Sequence, residues 1–271
     1  MLLHAQYVRP FVQTNKTDAA DAKAIWTAAQ QPGMPVVAPK TESQQCVLSL
    51  HAMRRLRVKM RTMLVNQLRG MLFEFGVHFR RGLRTGLHEI VERMAEIEQY
   101  VPPTLFEFVR EQLLSIEQLD QEIARLDQRI DAWARQNRAC HAILAIPGIG
   151  MLTATAMIAT IGDVHTFKSG RQLAAYFGLV PKQTGTGGKV WLGGISKRGD
   201  PYVRTLLIHG ARAVLNHLRR KNQPGWSLRL AQRRPANVVA VAMANKMART
   251  VWALLAHDRA YDRDYVSVRP A

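Results

Sequence analysis

The chain has 271 residues, 47% of them hydrophobic, and carries 38 Lys+Arg against 20 Asp+Glu, a formal net charge of +18. That apolar content can bury a core, which excludes a disordered basic tail, and the charge favours a polyanionic partner. Cys46 and Cys140 stand outside any CxxC pair, which argues against both a zinc finger and a disulfide framework.

The charge is uneven along the chain. From Gln44 to Arg84 there are nine basic residues and one acidic. From Gly86 to Asp131 there are four basic and eleven acidic, and from Gly187 to Ala271 sixteen basic and four acidic. The pattern predicts two nucleic-acid faces joined by a segment with another job. No run reaches about 18 uninterrupted apolar residues, and Met1-Leu2-Leu3-His4 lacks the regions of a signal peptide. No membrane partner and a reducing, cytoplasmic setting are expected.

In chain order, Leu2–Val12 has room for a short strand, and Lys16–Ala29 reads as an Ala-rich helix starting near Thr17 or Asp18. Asp18 and Asp21 are three apart and share a helix face. They serve either as acids complementing the helix dipole or as hard oxygen ligands suited to Mg²⁺. Pro32, Pro35 and Pro39 make an extended linker. Ser43–Phe75 is a long helix whose apolar face holds Leu56, Met60, Met63, Leu64, Leu68, Met71, Leu72 and Phe75. Its other face carries Arg54, Arg55, Arg57, Lys59, Arg61 and Arg69, which reads either as a solvated face or as a strip for a nucleic-acid backbone.

Phe106–Arg138 is the clearest heptad: Ile116, Leu119, Ile123, Leu126, Ile130 and Trp133 alternate steps of three and four. The seam needs a partner. That partner is either an antiparallel helix of the same chain, such as His88–Tyr100 turned back at Pro102-Pro103, or a second subunit.

Ile146-Pro147-Gly148-Ile149-Gly150 then precedes the small, apolar Met151–Ile161, the layout of a helix-hairpin-helix. Backbone N–H groups around Gly148 and Gly150 can receive a phosphate, or the turn can be plain helix-to-helix packing. Pro181–Lys189 reads as a loop of hydroxyls, glycines and the cations Lys182 and Lys189, without the order of a nucleotide-binding P-loop. In Gly193–Asp200, Ser196 can cap the following helix while Lys197 and Arg198 neutralise phosphates. Tyr202–Leu218 and Ala236–Leu255 are amphipathic helices flanking a basic loop with Arg219, Arg220, Lys221, Arg233 and Arg234, where Trp226 stacks on a base or packs into the core.

Three of these motifs carry a resemblance. Asn15-Lys16-Thr17-Asp18-Ala19-Ala20-Asp21-Ala22, the loop from Pro181 to Gly187, and Ser196-Lys197-Arg198-Gly199 resemble the DEDD-type insertion-sequence transposases, the bridge-RNA-guided DNA recombinases. The resemblance runs along most of the chain. It implies that Asp18 and Asp21 are the last two metal-binding aspartates, with Mg²⁺ as cofactor. It also implies that Thr186, just before Gly187, stands where the family places a nucleophilic serine. The expected partners are DNA, a guide (bridge) RNA, and further copies in a dimer or tetramer.

The expected fold is mainly α: residues 1–42 a remnant of a RuvC-like α/β domain, 43–140 the basic long helix and acidic coiled coil, and 141–271 a helical C-terminal transposase domain. The family's first Asp and its Glu have no counterpart among the residues preceding Asp18, none of which is acidic. The expected function is therefore an insertion-sequence transposase acting through a hydroxyl nucleophile and Mg²⁺-binding acids. The alternative is a catalytically impaired, nucleic-acid-binding remnant of one.

Overall fold

The structure is a computed structural model that describes every residue except 1, 4, 14, 16, 35, 38, 81, 222–224, 264 and 266–271. At the N-terminus β1 (Leu2–Leu3) pairs antiparallel with β2 (Val36–Val37). Between them lie α1 (Ala5–Val8), a 3-10 turn at Arg9–Phe11 and α2 (Asp18–Ala29). The short strand expected within Leu2–Val12 is β1; after it the chain turns helical at Ala5, and Pro10 lies inside the 3-10 turn. Thr17 caps α2, its hydroxyl accepting from the Ala20 N–H at 3.2 Å. The expected helix start at Lys16 and the linker proline Pro35 lie outside the described residues.

The long helix forms as α3 (Glu42–Glu74), opened by a capping box in which the Thr41 hydroxyl and the Gln44 side chain serve each other's backbone N–H. After α4 (Leu83–Glu92) and α5 (Met94–Tyr100), α6 (Pro103–Arg135) returns beside α3. Pro102 and Pro103 turn the chain into α6 as expected, Pro103 taking a first-turn position where its missing N–H costs nothing.

The heptad seam meets a helix of the same chain, as one of the two expectations had it, but that helix is α3 and not His88–Tyr100. Ile116, Leu119, Ile123 and Ile130 of α6 are buried, and α3 is the helix that α6 chiefly packs against. The segment His88–Tyr100 is not one helix but α4 and α5, divided at Arg93, and together they close the far end of the hairpin around Ile90 and Ile97.

The seam on α3 runs Val47, His51, Arg54, Val58, Arg61, Val65, Leu68, Leu72, in steps of four and three, and none of these is exposed. Arginines therefore occupy two seam positions. Arg54 pairs with Asp127, Arg61 with Asp120, and Arg57 beside them with Glu122. The acidic middle of the chain thus neutralises three cations of the basic helix. A second correction follows for the apolar face read on α3. Leu64, Leu68, Met71, Leu72 and Phe75 enter the core shared with α4–α6, whereas Leu56, Met60 and Met63 are exposed. Where the arginines bridge to α6, those three residues are turned away from it.

The largest core lies beyond α6, in α7 (Arg138–Leu144), α8 (Met151–Ile161), α9 (Gly170–Tyr176), α10 (Pro201–Arg220), α11 (Trp226–Ala231) and α12 (Ala236–Ala256). α8 is its centre, buried at every residue from Thr153 to Ile161. α12 is long and apolar enough to cross a membrane by length and composition. Here it is a core helix, packed on α9 and α10 through Val239, Met243, Met247 and Val251. Between α9 and α10 the chain forms an antiparallel pair, β3 (Pro181–Thr186) and β4 (Lys189–Ile195).

Candidate nucleic-acid interface

The segment read as a flexible loop is an ordered β-ribbon, and its own residues explain why. Gly187 and Gly188 both take positive φ, 55° and 76°, the conformation a two-residue hairpin turn requires. Thr186 pairs with Lys189, Gly185 with Val190, Thr184 with Trp191 and Gln183 with Leu192. Gly-Gly flanked by two such runs is a hairpin signal that a reading based on polarity overlooks. Directly opposed residues share a face. One face therefore holds Thr184, Thr186, Lys189 and Trp191, and the other Gln183, Gly185, Val190 and Leu192. Almost the whole ribbon is exposed, including Trp191 at 56% and Leu192 at 69%.

The ribbon is held firmly at its base. The Ser196 N–H donates to Val180 O at 2.8 Å and the Lys197 N–H to Gly178 O at 3.1 Å. Gly178 and Gly199, both at positive φ, press on the backbone opposite: a Cβ on Gly178 would meet Arg198 O at 2.3 Å. Arg204 of α10 donates to Phe177 O and Arg198 O, at 3.1 and 2.8 Å. Lys197 is held at φ 55°, sharing with Asp258 a positive φ not otherwise seen among the described non-glycine residues. Such strain persists only where the surroundings over-determine it.

This geometry corrects the role expected of Ser196. The cap of α10 is Asp200, whose carboxylate accepts from the Tyr202 N–H at 2.7 Å. The Ser196 hydroxyl is buried without a hydrogen-bond partner among the described residues. Lys182, Lys189, Lys197 and Arg198 are exposed, and among the described residues none forms an ion pair with a carboxylate. From Pro181 to Arg198 the sequence contains no Asp or Glu.

The cations of α3 are in the opposite situation. Arg54 and Arg57 are engaged by Asp127 and Glu122, and Arg55 lies over the Tyr202 ring at 5.4 Å. Arg54 and Arg57 thus serve an intramolecular seam. The two turn glycines also divide. Gly148, at φ 90°, is pressed against α10, where an added Cβ would come within 2.8 Å of Gly210 O. Gly150 is exposed, starts α8 as its N-cap and has open space where a Cβ would point. Trp226 is half-buried against the core with Lys246 Nζ 5.2 Å from its ring.

A buried polar junction behind the interface escaped the sequence reading. His51, 2% exposed, places Nε2 2.9 Å from Thr155 Oγ1 and Nδ1 3.0 Å from the Tyr202 hydroxyl. The Thr155 hydroxyl donates to Met151 O at 2.8 Å. It therefore accepts from Nε2–H, and Nδ1 accepts from Tyr202. Burial, aided by Arg54, lowers the His51 pKa to about 4. The junction ties α3 and α8 to the start of α10. Its signal in sequence is that His51 falls on the seam spacing of Val47 and Arg54.

Asp18 and Asp21 lie in the first turn of α2, Asp18 exposed and Asp21 half-buried. α2 packs on α1 and the Arg9–Phe11 turn, while β3 and β4 pack on each other. The main packing contacts thus do not join the two acids to Thr186. Among the described residues no group of three or more His, Cys, Asp or Glu is poised for a metal. Two carboxylates with hard oxygens still suit Mg²⁺, which keeps waters and takes further oxygens from substrate phosphates.

Residues 140–224 match the family described as Transposase IS116/IS110/IS902 family. The chain is similar to a probable family 20 transposase of Pseudomonas aeruginosa, 46% identical over 263 residues that make up 96% of this chain and 78% of that protein. It is 40% identical over 262 residues to the transposase for insertion sequence element IS1111A of Coxiella burnetii, covering 96% and 72% of the two chains. To the transposase for insertion sequence element IS1328 of Yersinia enterocolitica it is 37% identical over 257 residues, covering 93% and 75%.

Proposed function

The chain belongs to the IS116/IS110/IS902 family of insertion-sequence transposases, and from that premise we propose that it grips DNA phosphates through the acid-free stretch Pro181–Arg198 and presents Thr186 as the reacting hydroxyl. The observation that carries the reading is a set of cations without an ion pair among the described residues, Lys182 and Lys189 on the ribbon and Lys197 and Arg198 at its anchored base, with Thr186 beside the turn. Cations without internal partners are available to displace counterions from a phosphate backbone.

In the reaction, Thr186 Oγ1 forms a bond to a backbone phosphorus and one phosphorus–deoxyribose oxygen bond breaks. The hydroxyl proton is lost and the departing oxygen takes one up, so one phosphodiester replaces another. Lys189, paired directly with Thr186, offsets the phosphate charge. Asp18 and Asp21 would hold Mg²⁺, and the ion would supply charge neutralisation at a DNA phosphate. The basic residues Arg219, Arg220, Lys221, Arg233 and Arg234 form a second surface, to which we assign a guide RNA. Residues 1–42 are assigned to part of a RuvC-like domain, and the chain acts in the cytoplasm. Joining two DNA duplexes calls for more than one copy, and a homo-oligomer would use a surface other than the α3–α6 seam.

A second reading, a binding protein without strand transfer, is favoured by the absence of a third acid beside Asp18 and Asp21 among the described residues. A strand-exchange assay with donor and target DNA, the cognate RNA and Mg²⁺ separates the two. Activity abolished by Thr186→Ala and kept or raised by Thr186→Ser supports the transposase reading. Salt-sensitive DNA binding with no strand transfer by either the original chain or Thr186→Ser establishes the second reading.

A further inference from the structure

The ribbon carries an indole that neither the fold nor the proposed chemistry uses. Trp191 is 56% exposed, and among the described residues it has no ring, cation or hydrogen-bond partner. A two-stranded ribbon standing free in water gains little from such a side chain. It lies on the face that also holds Thr184, Thr186 and Lys189, with Thr184 directly opposite it. Two residues along a strand span about 7 Å. A flat group resting on the indole therefore has a cation one step away, toward the turn where Thr186 sits.

We propose that Trp191 is a stacking platform for an unpaired base of the DNA, holding the nucleotide next to the phosphate that Thr186 attacks. The inference rests on the reading that the ribbon engages DNA, and it names the state of the DNA that the ribbon receives. In a paired duplex each base face is covered by its neighbours, so an indole finds a π-face only where a base has left the stack. Exchanging strands between duplexes opens base pairs around the reacting phosphate, and aromatic side chains receive such bases whatever their identity. The surroundings of the ring fit this occupant. Lys189 suits a phosphate, the threonines suit sugar and phosphate oxygens, and no carboxylate occurs between Pro181 and Arg198 to repel the strand. A second copy of the chain would instead be expected on the opposite face, where Val190 and Leu192 are exposed at 56% and 69% beside the small Gly185.

The test measures binding of the full chain to a single-stranded oligonucleotide, a duplex with a short central mismatch, and the fully paired duplex, at one salt concentration. Trp191→Ala is expected to weaken the first two by roughly 10-fold or more and to leave the paired duplex nearly unchanged. Trp191→Phe should keep most of the affinity, because it retains a ring. Circular dichroism checks that both variants keep the helical fold, which the exposure of the ring leads us to expect. The inference is overturned if Trp191→Ala leaves all three substrates unchanged, or weakens the paired duplex as much as the single strand. It is also overturned if light scattering shows a change of oligomeric state, which would place a second copy on this face. Failure of the original chain to bind any of the three removes the underlying reading and this inference with it. Normal duplex binding with no special loss for unpaired DNA removes this inference alone.

Discussion

His51 and Tyr202 are 151 residues apart in sequence and 3.0 Å apart between ring nitrogen and hydroxyl. With Thr155 on the other ring nitrogen, they pin α3 to the helix that starts beside the Lys197-Arg198 turn. Replacing His51 with Ala leaves a cavity and orphans the Tyr202 hydroxyl. The expected loss is about 2–4 kcal/mol, read as a lower denaturant midpoint. A variant as stable as the parent would show that the junction contributes nothing.

The same residue predicts a pH dependence. The His51 pKa is lowered from 6.5 to about 4 by burial, then by Arg54, against the opposing pull of Asp127 and Asp200. The unfolded chain takes up a proton near pH 6.5 that the folded chain refuses until about pH 4. The stability from this site is fully present above pH 6.5 and is lost as the pH falls toward 4, by up to about 3 kcal/mol. Denaturant titrations across that window should show the decline in the original chain and a shallower one in His51→Ala. Equal slopes would assign the effect to other groups.

Gly210→Ala sets two effects against each other. In an isolated helix alanine is favoured over glycine by about 1 kcal/mol. Here the new Cβ would fall 1.9 Å from Gly148 O, and overpacking of this kind costs about 1–3 kcal/mol or more. The clash wins because the opposing atom is backbone in a tight turn and cannot rotate away. We expect a net loss of stability and a disturbed Pro147–Gly150 turn, and a raised melting temperature would refute this.

The two groups of cations should behave differently. Arg54→Ala and Arg57→Ala remove partly exposed ion pairs, worth at most about 1 kcal/mol each, and should leave the salt dependence of DNA binding unchanged. Lys197→Ala and Arg198→Ala should barely alter stability, but each should flatten the slope of log affinity against log salt by about one. An equal flattening by Arg54→Ala would restore α3 as a binding strip.

Leu119→Asp tests where the heptad seam is used. Leu119 is 8% exposed in the α3–α6 hairpin, and an unpaired carboxylate there should cost about 3 kcal/mol or more. The expected outcome is loss of cooperative melting. Clean conversion of an oligomer into folded monomers would instead place a second subunit on the seam.

Local sequence alone determined most of the helices, because a 3.6-residue period, caps and proline positions act within a few residues of chain. Thr17, Thr41 and Pro103 start helices where their chemistry requires, and the seam of α6 was legible as a row of Ile and Leu. The candidate hydroxyl and cations could be named from sequence, and so could the pair Asp18 and Asp21. Only the tertiary structure decided which charges are free. Arg54 and Lys197 are both cations in a basic run, and what separates them is whether Asp127 faces one of them from 73 residues away. Gly148 and Gly150 are likewise equivalent on paper, until the approach of Gly210 takes one for packing and leaves the other open. The ribbon is intermediate: its turn is written in Gly187-Gly188, but its exposure depends on nothing else in the fold covering it. Burial and pairing depend on residues distant in the chain, so partners that meet only on folding stay hidden in the linear order.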